Sequence, residues 1–456
     1  MSKTGLSNTR KSFIVNMLNK DIYGQNQNML KNDTEKLSRD EEMYLNYGDI
    51  CKHDEFCGGC IYQNMSYEQQ LKTKNGEVLK LLADKEIKYD EYFGIEPSPE
   101  IYGYRNKMEY TFGDMVKDGE LTLGMHQKKK FMSIVTVDEC QLVDEDFNAI
   151  LRATLDFCKD KGYSFYNKKS HIGLLRHLIL RKGVRTNELL INIVTSSQGS
   201  RLMPSHDISK TNQQDDSTIF FQNGFDSKEY VNVLLNLKLN NNIVGILNTI
   251  NDRLSDAVYC DKLNVLYGRD YYMERIMELD FKVSAFSFFQ TNVRAAERLY
   301  VEAISWITDF KDKTIFDLYC GTGTISQVLA QKAKKVIGIE LVEDAVASAK
   351  ENAEKNGLTN CEFIAGDVFE VMETLPDKPD LIVLDPPRVG VQPKALEKIV
   401  SYGVNRIVYI SCNPKTFVEN LYYLQYYGYK VEKVKAYDNF AFTKHCECVA
   451  SLQKTS

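Results

Sequence analysis

Arg406-Ile407-Val408-Tyr409-Ile410-Ser411-Cys412-Asn413-Pro414 decides how this chain is read. The apolar run Arg406 to Ile410 has the length and β-branched character of a buried parallel strand, and the Asn-Pro step ends it and opens a helix. The strand thereby delivers Cys412 to its carboxyl end, where open α/β sheets hold their ligands. By itself such a cysteine is more often a small buried hydrophobe than a nucleophile.

Outward from this stretch the same grammar repeats. Ile315 to Leu318, Val336 to Ile339, Cys361 to Ile364 and Leu381 to Leu384 read as further buried strands. Helical stretches separate them, such as Asp344 to Lys355, closed by Asn356-Gly357. Strands alternating with helices predict a doubly wound parallel sheet over residues 290–456. Lys430 to Tyr437 and Glu447 to Leu452 are strand-like and should complete the sheet as a hairpin.

The formal net charge of −6 and pI near 5.7 exclude a global positive field, so any nucleic-acid surface must be local. No apolar run reaches membrane-spanning length and the first residues lack a signal peptide's apolar core. These features predict a cytoplasmic protein without a membrane partner. Its eleven cysteines are then metal ligands, catalysts or packing, not disulfides.

Residues 1–50, rich in Asn, Lys, Asp and Glu, read as a poorly ordered or weakly helical extension. Residues 51–95 form an arm in which a cysteine-dense loop, Cys51 to Cys60, leads into a helix over Tyr67 to Leu82. Residues 96–289 carry short apolar or alternating runs between polar turns, which predicts a largely antiparallel β domain. Within it, Ser200 to Asp226 is a polar insertion read as a surface loop. No internal repeat is present.

Asp317-Leu318-Tyr319-Cys320-Gly321-Thr322-Gly323-Thr324 follows the first strand of the doubly wound part and opens a helix. Glycines such as Gly321 allow close approach of a ligand, and the helix start offers free N–H groups. Glu340 ends the next strand, where a carboxylate can accept hydrogen bonds from both hydroxyls of a ribose. That arrangement serves a nicotinamide dinucleotide or S-adenosylmethionine. Ser326 stands where the dinucleotide fingerprint has its third glycine, and the acidic Asp385-Pro386-Pro387-Arg388 turn follows the fourth strand. Both favour S-adenosylmethionine. Asp367, after the third strand, is placed to reach the adenine side of such a pocket.

Cys51, Cys57 and Cys60, on a loop with Gly58 and Gly59, combine with Cys140 into a four-cysteine site that pins the arm to the β domain. Iron-sulfur clusters and structural zinc both use four cysteines, although the five-residue first gap is unlike paired zinc knuckles. Cys158, Cys260 and Cys361 have no such spacing and read as packing, as do Cys446 and Cys448 around Glu447.

Phe288-Phe289-Gln290-Thr291-Asn292, the Asp317 to Thr324 loop, Asp385 to Arg388, Ser411 to Pro414, and Asp438-Asn439-Phe440 with Thr443, His445 and Glu447 occur in an order that resembles the RNA uracil-5-methyltransferase family. Within it, the chain is most similar to the iron-sulfur enzymes of ribosomal RNA. The resemblance implies a class I methyltransferase sheet and transfer of a methyl group from S-adenosyl-L-methionine to C5 of a uridine in 23S rRNA. It implies Cys412 as the nucleophile that adds to C6, and Glu447 as the base that removes the C5 proton. Gln290, Tyr319, Gly321, Thr324, Glu340, Asp367 and Asp385 form the implied cofactor set, Thr324 standing where some relatives have Asn. Cys51, Cys57, Cys60 and Cys140 would ligate a 4Fe-4S cluster. No obligate protein partner is implied. The small basic barrel with which many relatives begin is not evident in residues 1–50. The transfer RNA version of the reaction is the runner-up, and a non-catalytic iron-sulfur RNA-binding or redox-sensing protein is the alternative of another class.

Lys168 to Arg185 carries Lys168, Lys169, Arg176, Arg181, Lys182, Arg185, His171 and His177 without an acid. Displayed on a strand, these charges would suit phosphate contacts. Tyr104-Arg105-Asn106-Lys107 and Lys128 to Lys130 are weaker candidates. A target uracil must be unstacked to expose both faces, which favours a loop nucleotide.

Overall fold

The computed structural model describes residues 50–198, 224–307 and 310–455. The expectations for the N-terminal extension and for most of the polar insertion lie outside the described residues.

The first element is helix α1 (Tyr67–Asp84), opened by a capping box between Ser66 and Gln69. It buries a stripe of Tyr67, Gln70, Leu71, Lys74, Asn75, Val78 and Leu82. β1 (Tyr89–Glu96) follows. The central domain then runs through β2 (Lys107–Asp114), β3 (Leu121–Gln127), β4 (Lys130–Thr136), α2 (Glu145–Asp160), β5 (Leu175–Gly183), β6 (Glu188–Thr195), α3 (Ser227–Leu235), β7 (Asn242–Ile250) and β8 (Lys262–Gly268). Its seven strands are ordered β4-β3-β2-β5-β6-β7-β8, with α2 and α3 packed into their core. The pairing is antiparallel except between β6 and β7, which run parallel because the segment joining them crosses over through α3.

The hairpin β9 (Tyr271–Ile276) and β10 (Leu279–Ser284) puts Tyr272, Ile276, Phe281 and Val283 into the core of the C-terminal sheet. That region continues as α4 (Val293–Ser305), β11 (Thr314–Leu318), α5 (Thr324–Ala330), β12 (Lys335–Glu340), α6 (Glu343–Lys355), β13 (Cys361–Ala365), α7 (Val368–Thr374), β14 (Leu381–Leu384), α8 (Pro393–Ser401), β15 (Arg406–Ser411), α9 (Pro414–Tyr426), β16 (Tyr429–Tyr437) and β17 (Glu447–Lys454).

Eight strands form one sheet in the order β1-β16-β17-β15-β14-β11-β12-β13, in which β17 runs against its neighbours. Period-two alternation sorts the side chains. Phe316, Leu318, Ile382, Leu384, Ile407 and Tyr409 join one core with α1 and α9, while Ile315, Leu381, Val383, Val408 and Ile410 join another with α4 and α5. Each fully buried Leu, Ile or Phe contributes about 1.5–3 kcal/mol. The segment read as a cysteine-bearing arm therefore also supplies a helix on one face and an edge strand, β1, paired in parallel with β16.

Candidate active site

The carboxyl ends of β11, β12, β14 and β15 and the start of the reversed β17 share one edge of the sheet, so five separate stretches converge there. After β11 the chain turns through Tyr319, Gly321 and Gly323 at φ of +67°, +54° and +75°. Tyr319 holds this left-handed backbone without the freedom of glycine, a strain of about 1–3 kcal/mol that clusters at functional sites. A side chain at Gly323 would strike the Phe363 ring, whereas a Cβ at Gly321 would meet nothing within 4 Å. The lip of the loop is open at Gly321, as a ligand cradle requires.

Glu340, at the end of β12, accepts from the Gly321 amide at 3.1 Å and the Val342 amide at 3.0 Å, one on each oxygen. This fixes its carboxylate while leaving lone pairs for a diol. Burial, with the charges of Asp367 and Glu340, pushes the Tyr319 phenol up to about 12 and places it among these acids. Asp367 caps α7, accepting from the Phe369 amide at 2.9 Å. Thr324 is the buried first residue of α5. Gln290 lies beside the buried Tyr300 phenol, and its backbone carbonyl accepts from Asn106 Nδ2 at 3.0 Å.

Asp317 and Tyr300 carry chemistry that the sequence reading did not assign. Asp317 is fully buried, accepts from Ser326 Oγ at 2.5 Å on one oxygen and has no partner on the other. Burial pushes both Asp317 and Asp385 up to about 7. Carboxyls so poised would ionise when a cation arrives, and S-adenosylmethionine brings a sulfonium and an ammonium. Ser326, at the absent third glycine, is a donor to one of them. Tyr300 faces Asp385, Glu447 and Asp317 from α4. A tyrosine on an apolar helix face gave no signal of this in the sequence.

At the end of β15, Cys412 is half-buried before α9, whose first turn is capped by Asn413 through the Lys415 amide. The register of β15 with β17 ends with Ser411 opposite Cys448, so Cys412 and Glu447 are the next positions along the two strands. Burial, then the charges of Glu447 and Asp385, push the Cys412 thiol up to about 11, with Arg388 pulling the other way. Burial and Asp385 push Glu447 up to about 8. Arg388 is tied to this corner, since its carbonyl accepts from Asn413 Nδ2 at 3.1 Å and its guanidinium lies 2.9 Å from His445 Nδ1. Burial and Arg388 push His445 down to about 4, so near neutral pH its ring is uncharged and Nδ1 accepts from the guanidinium.

The loop before Glu447 is fastened from a distance. Lys74 of α1 and Asp438 pair at 2.5 Å with both side chains fully buried, and Lys74 also donates to the Phe440 carbonyl. Gln70 accepts from the Phe442 amide, Tyr104 donates to the Ala441 carbonyl, and the Ile61 and Tyr62 amides donate to the Phe442 carbonyl.

Cys51, Cys57, Cys60 and Cys140 line one cavity of about 80 Å³ walled by Met108, Met125, Val137 and Leu142. Burial pushes Cys60 up to about 12 and Cys140 up to about 11. The thiols surround this space rather than converge on a point: among the described residues no three His, Cys, Asp or Glu are grouped to hold a single metal ion.

The basic run Lys168 to Arg185 is not the phosphate-binding strip expected from its charges. Arg176, His177 and Arg181 are buried. Arg176 stacks on Tyr166 and donates to the carbonyls of Asn251, Arg253 and Ser255. Lys168, Lys182 and Arg185 pair with Asp256, Asp144 and Glu297. Lys128 is likewise held by Asp54. Exposed Arg388, Lys415 and Lys444 instead rim the reacting corner, and none has an ion pair with Asp or Glu among the described residues.

A sheet of this order, with an acid ending β12 and carboxyls gathered at the switch between β11 and β14, defines a class I methyltransferase. The family model of the tRNA (uracil-5-)-methyltransferases matches residues 261–455. A protein of Caldanaerobacter subterraneus subsp. tengcongensis described as an uncharacterised RNA methyltransferase is 50% identical over 89% of this chain and 84% of its own. One from Clostridium tetani is 48% identical over 87% and 82%. Among solved structures, Pyrococcus abyssi tRNA (uracil-54, C5)-methyltransferase in complex with S-adenosyl-L-homocysteine has a TM-score of 0.67 and 27% identity, covering 87% of this chain and 84% of that one. The chain belongs to the RNA uracil-5-methyltransferase family and is an S-adenosylmethionine-dependent enzyme. No helix among the described residues is long and apolar enough to cross a membrane.

Proposed function

We propose that the enzyme methylates C5 of a uridine in 23S rRNA through a covalent adduct between Cys412 Sγ and C6 of the base. The apposition of Cys412 and Glu447 at the edge shared by β15 and β17 carries this reading. C5 of uracil is a weak nucleophile. Addition of the Cys412 thiolate to C6 moves the C5–C6 π electrons into an enolate, which makes C5 reactive. S-adenosylmethionine supplies the electrophilic methyl group and leaves as S-adenosylhomocysteine. Glu447 then removes the original C5 proton, the electrons restore the C5–C6 double bond, and the Cys412–C6 bond breaks. Arg388 beside the thiol favours its ionised form, and Glu340, Asp367, Tyr319, Gly321, Thr324, Gln290 and Asp385 hold the methyl donor.

The four cysteines that line one cavity, together with His53, Asp54, Gln63 and Arg105, support a 4Fe-4S cluster as a donor set. Thiols give up their protons when they ligate a metal centre, and four of them are the usual complement of a cluster. Its role is to hold the arm on the central domain, since methylation involves no net redox change. Eleven cysteines kept as thiols and metal ligands would suit a reducing cytoplasm.

The four-cysteine site favours ribosomal RNA. The likeness to the Pyrococcus abyssi enzyme favours the second reading, transfer RNA. Mass-spectrometric mapping of 5-methyluridine in both RNAs, from cells with and without this gene, separates them. Loss confined to 23S rRNA supports the first reading, and loss confined to transfer RNA replaces it with the second.

A further inference from the structure

Among the exposed aromatic rings of the central domain, Phe131 and Tyr259 each have a cation over the ring. Phe131, at the start of β4, leaves 66% of its surface in water, yet it lies flat on the His126 ring with centroids 4.9 Å apart and planes at 7°. Lys168 Nζ stands 4.7 Å from the Phe131 centroid. In the loop between β7 and β8, Tyr259 is 45% exposed and has the Arg253 guanidinium 4.9 Å from its centroid.

Asp256 links the surroundings of the two rings. Asp256 binds Lys168 Nζ at 2.6 Å and lies 3.9 Å from His126 Nε2. Tyr259 follows Asp256 by three positions, at most about 11 Å of chain. Arg176 fixes that loop from beneath through its three carbonyl contacts. Single exposed apolar residues are ordinary. Here each ring is attended by a cation, Lys168 paired with Asp256 and Arg253 with Asp261, while Lys129 and Lys130, which precede Phe131, and Lys169, which follows Lys168, are exposed without ion pairs among the described residues.

We propose that this surface is a stacking platform for unpaired bases of the RNA, with the lysines following the phosphates. A rigid aromatic face flanked by cations is the arrangement that takes a single strand regardless of sequence, because every base has a π-face and every linkage a charge. The inference rests on the RNA substrate that family membership establishes, not on which RNA is methylated. The platform stands on the seven-stranded sheet, apart from the Cys412 corner, so it supplies grip and register and leaves chemistry untouched.

The test uses the full-length protein and a short single-stranded oligoribonucleotide containing 2-aminopurine. Binding to the wild type should quench the 2-aminopurine fluorescence by stacking. Phe131→Ala and Tyr259→Ala should each lose part of that quench and weaken binding about 5- to 100-fold, the range of base–aromatic stacking. Phe131→Trp should restore both. With a methylatable RNA, the alanine variants should raise KM and spare kcat. Unchanged affinity and quenching in the double alanine variant would overturn the proposal. So would weaker binding that Phe131→Trp fails to rescue, which would mark a structural role or a surface for another kind of partner. Binding and quenching are read without turnover, so they decide the platform independently of the proposed target and adduct.

Discussion

Cys412 and Glu447 sit at opposed positions one step beyond the last paired residues of β15 and β17, Ser411 and Cys448. Opposed residues on antiparallel strands project to the same side of a sheet. A parallel strand and the single reversed strand beside it therefore bring the proposed nucleophile and the proposed base, thirty-five positions apart in the chain, to one point.

Cys412→Ser should abolish methylation while leaving S-adenosylmethionine binding intact by calorimetry. Glu447→Gln should slow turnover by roughly 10²- to 10⁴-fold, the usual contribution of a positioned base. Because addition and methyl transfer precede proton removal, this variant should also accumulate a protein–RNA adduct on denaturing gels. An adduct-free, inactive Glu447→Gln protein would place Glu447 before the covalent step.

The rate should depend on pH through Glu447. With its pKa near 8, the free enzyme holds the carboxyl mostly protonated at neutral pH. The base form therefore grows as pH rises, and kcat/KM should climb with an inflection near pH 8 and go on rising as the Cys412 thiol, held near 11, ionises. Single-turnover rates across this range would check the inflection, which Glu447→Asp should move.

Stability should run the opposite way. Asp317 and Asp385, near 7, and Glu447, near 8, all keep protons in the folded state that the unfolded chain gives up near 4. Their contribution is full below the unfolded pKa values and is lost as pH rises through 7 to 8. Thermal melts should fall from mildly acid to mildly alkaline buffer. Glu447→Gln should flatten that slope, and bound S-adenosylmethionine should offset it.

Lys74→Met should cost about 3–5 kcal/mol, because it leaves Asp438 buried and unpaired. Lys74→Met combined with Asp438→Leu should recover most of this in denaturant titrations. The double variant should nevertheless turn over slowly, since the loop that aims Glu447 has lost its anchor. Recovery of both stability and kcat would reduce the pair to packing.

Arg388→Ala should slow alkylation of Cys412 by iodoacetamide and shift its pH dependence upward, measured on the Cys412 peptide by mass spectrometry. Lys444→Ala should instead weaken RNA binding and lower the slope of log affinity against log salt by about one. Arg176→Ala should destabilise the central domain, because three carbonyls lose their donor.

The sheet was legible because its buried strands are unbroken apolar runs, and their carboxyl ends expose Glu340, Asp385 and Cys412 by position alone. Charge was misleading. Arg176 and Arg181 read as surface residues, yet hydrogen bonding and stacking hold them inside, and only the fold reveals a row of carbonyls for Arg176 to meet. The Lys74–Asp438 pair was hidden for a different reason: its partners are 364 residues apart, and no local pattern records such a separation. Tyr300 was hidden on the buried face of an ordinary amphipathic helix, and β1 gave no sign that its partner was β16.

That last pairing bears on how the chain is made. Tyr89 of β1 lies beside Val431 of β16, so the edge strand emerges during synthesis long before its neighbour exists. Until the final strands are released, β1 can rest against α1 and, through Phe93 and Glu96, against α4 and Trp306, but its ladder groups stay open to other chains. The methyltransferase unit is thus completed by its earliest and latest segments together, after the central domain has had time to fold between them. A nascent polypeptide stalled short of β16 would own the cofactor loop and the nucleophile but not a closed sheet, and completion of the chain itself becomes the gate to activity.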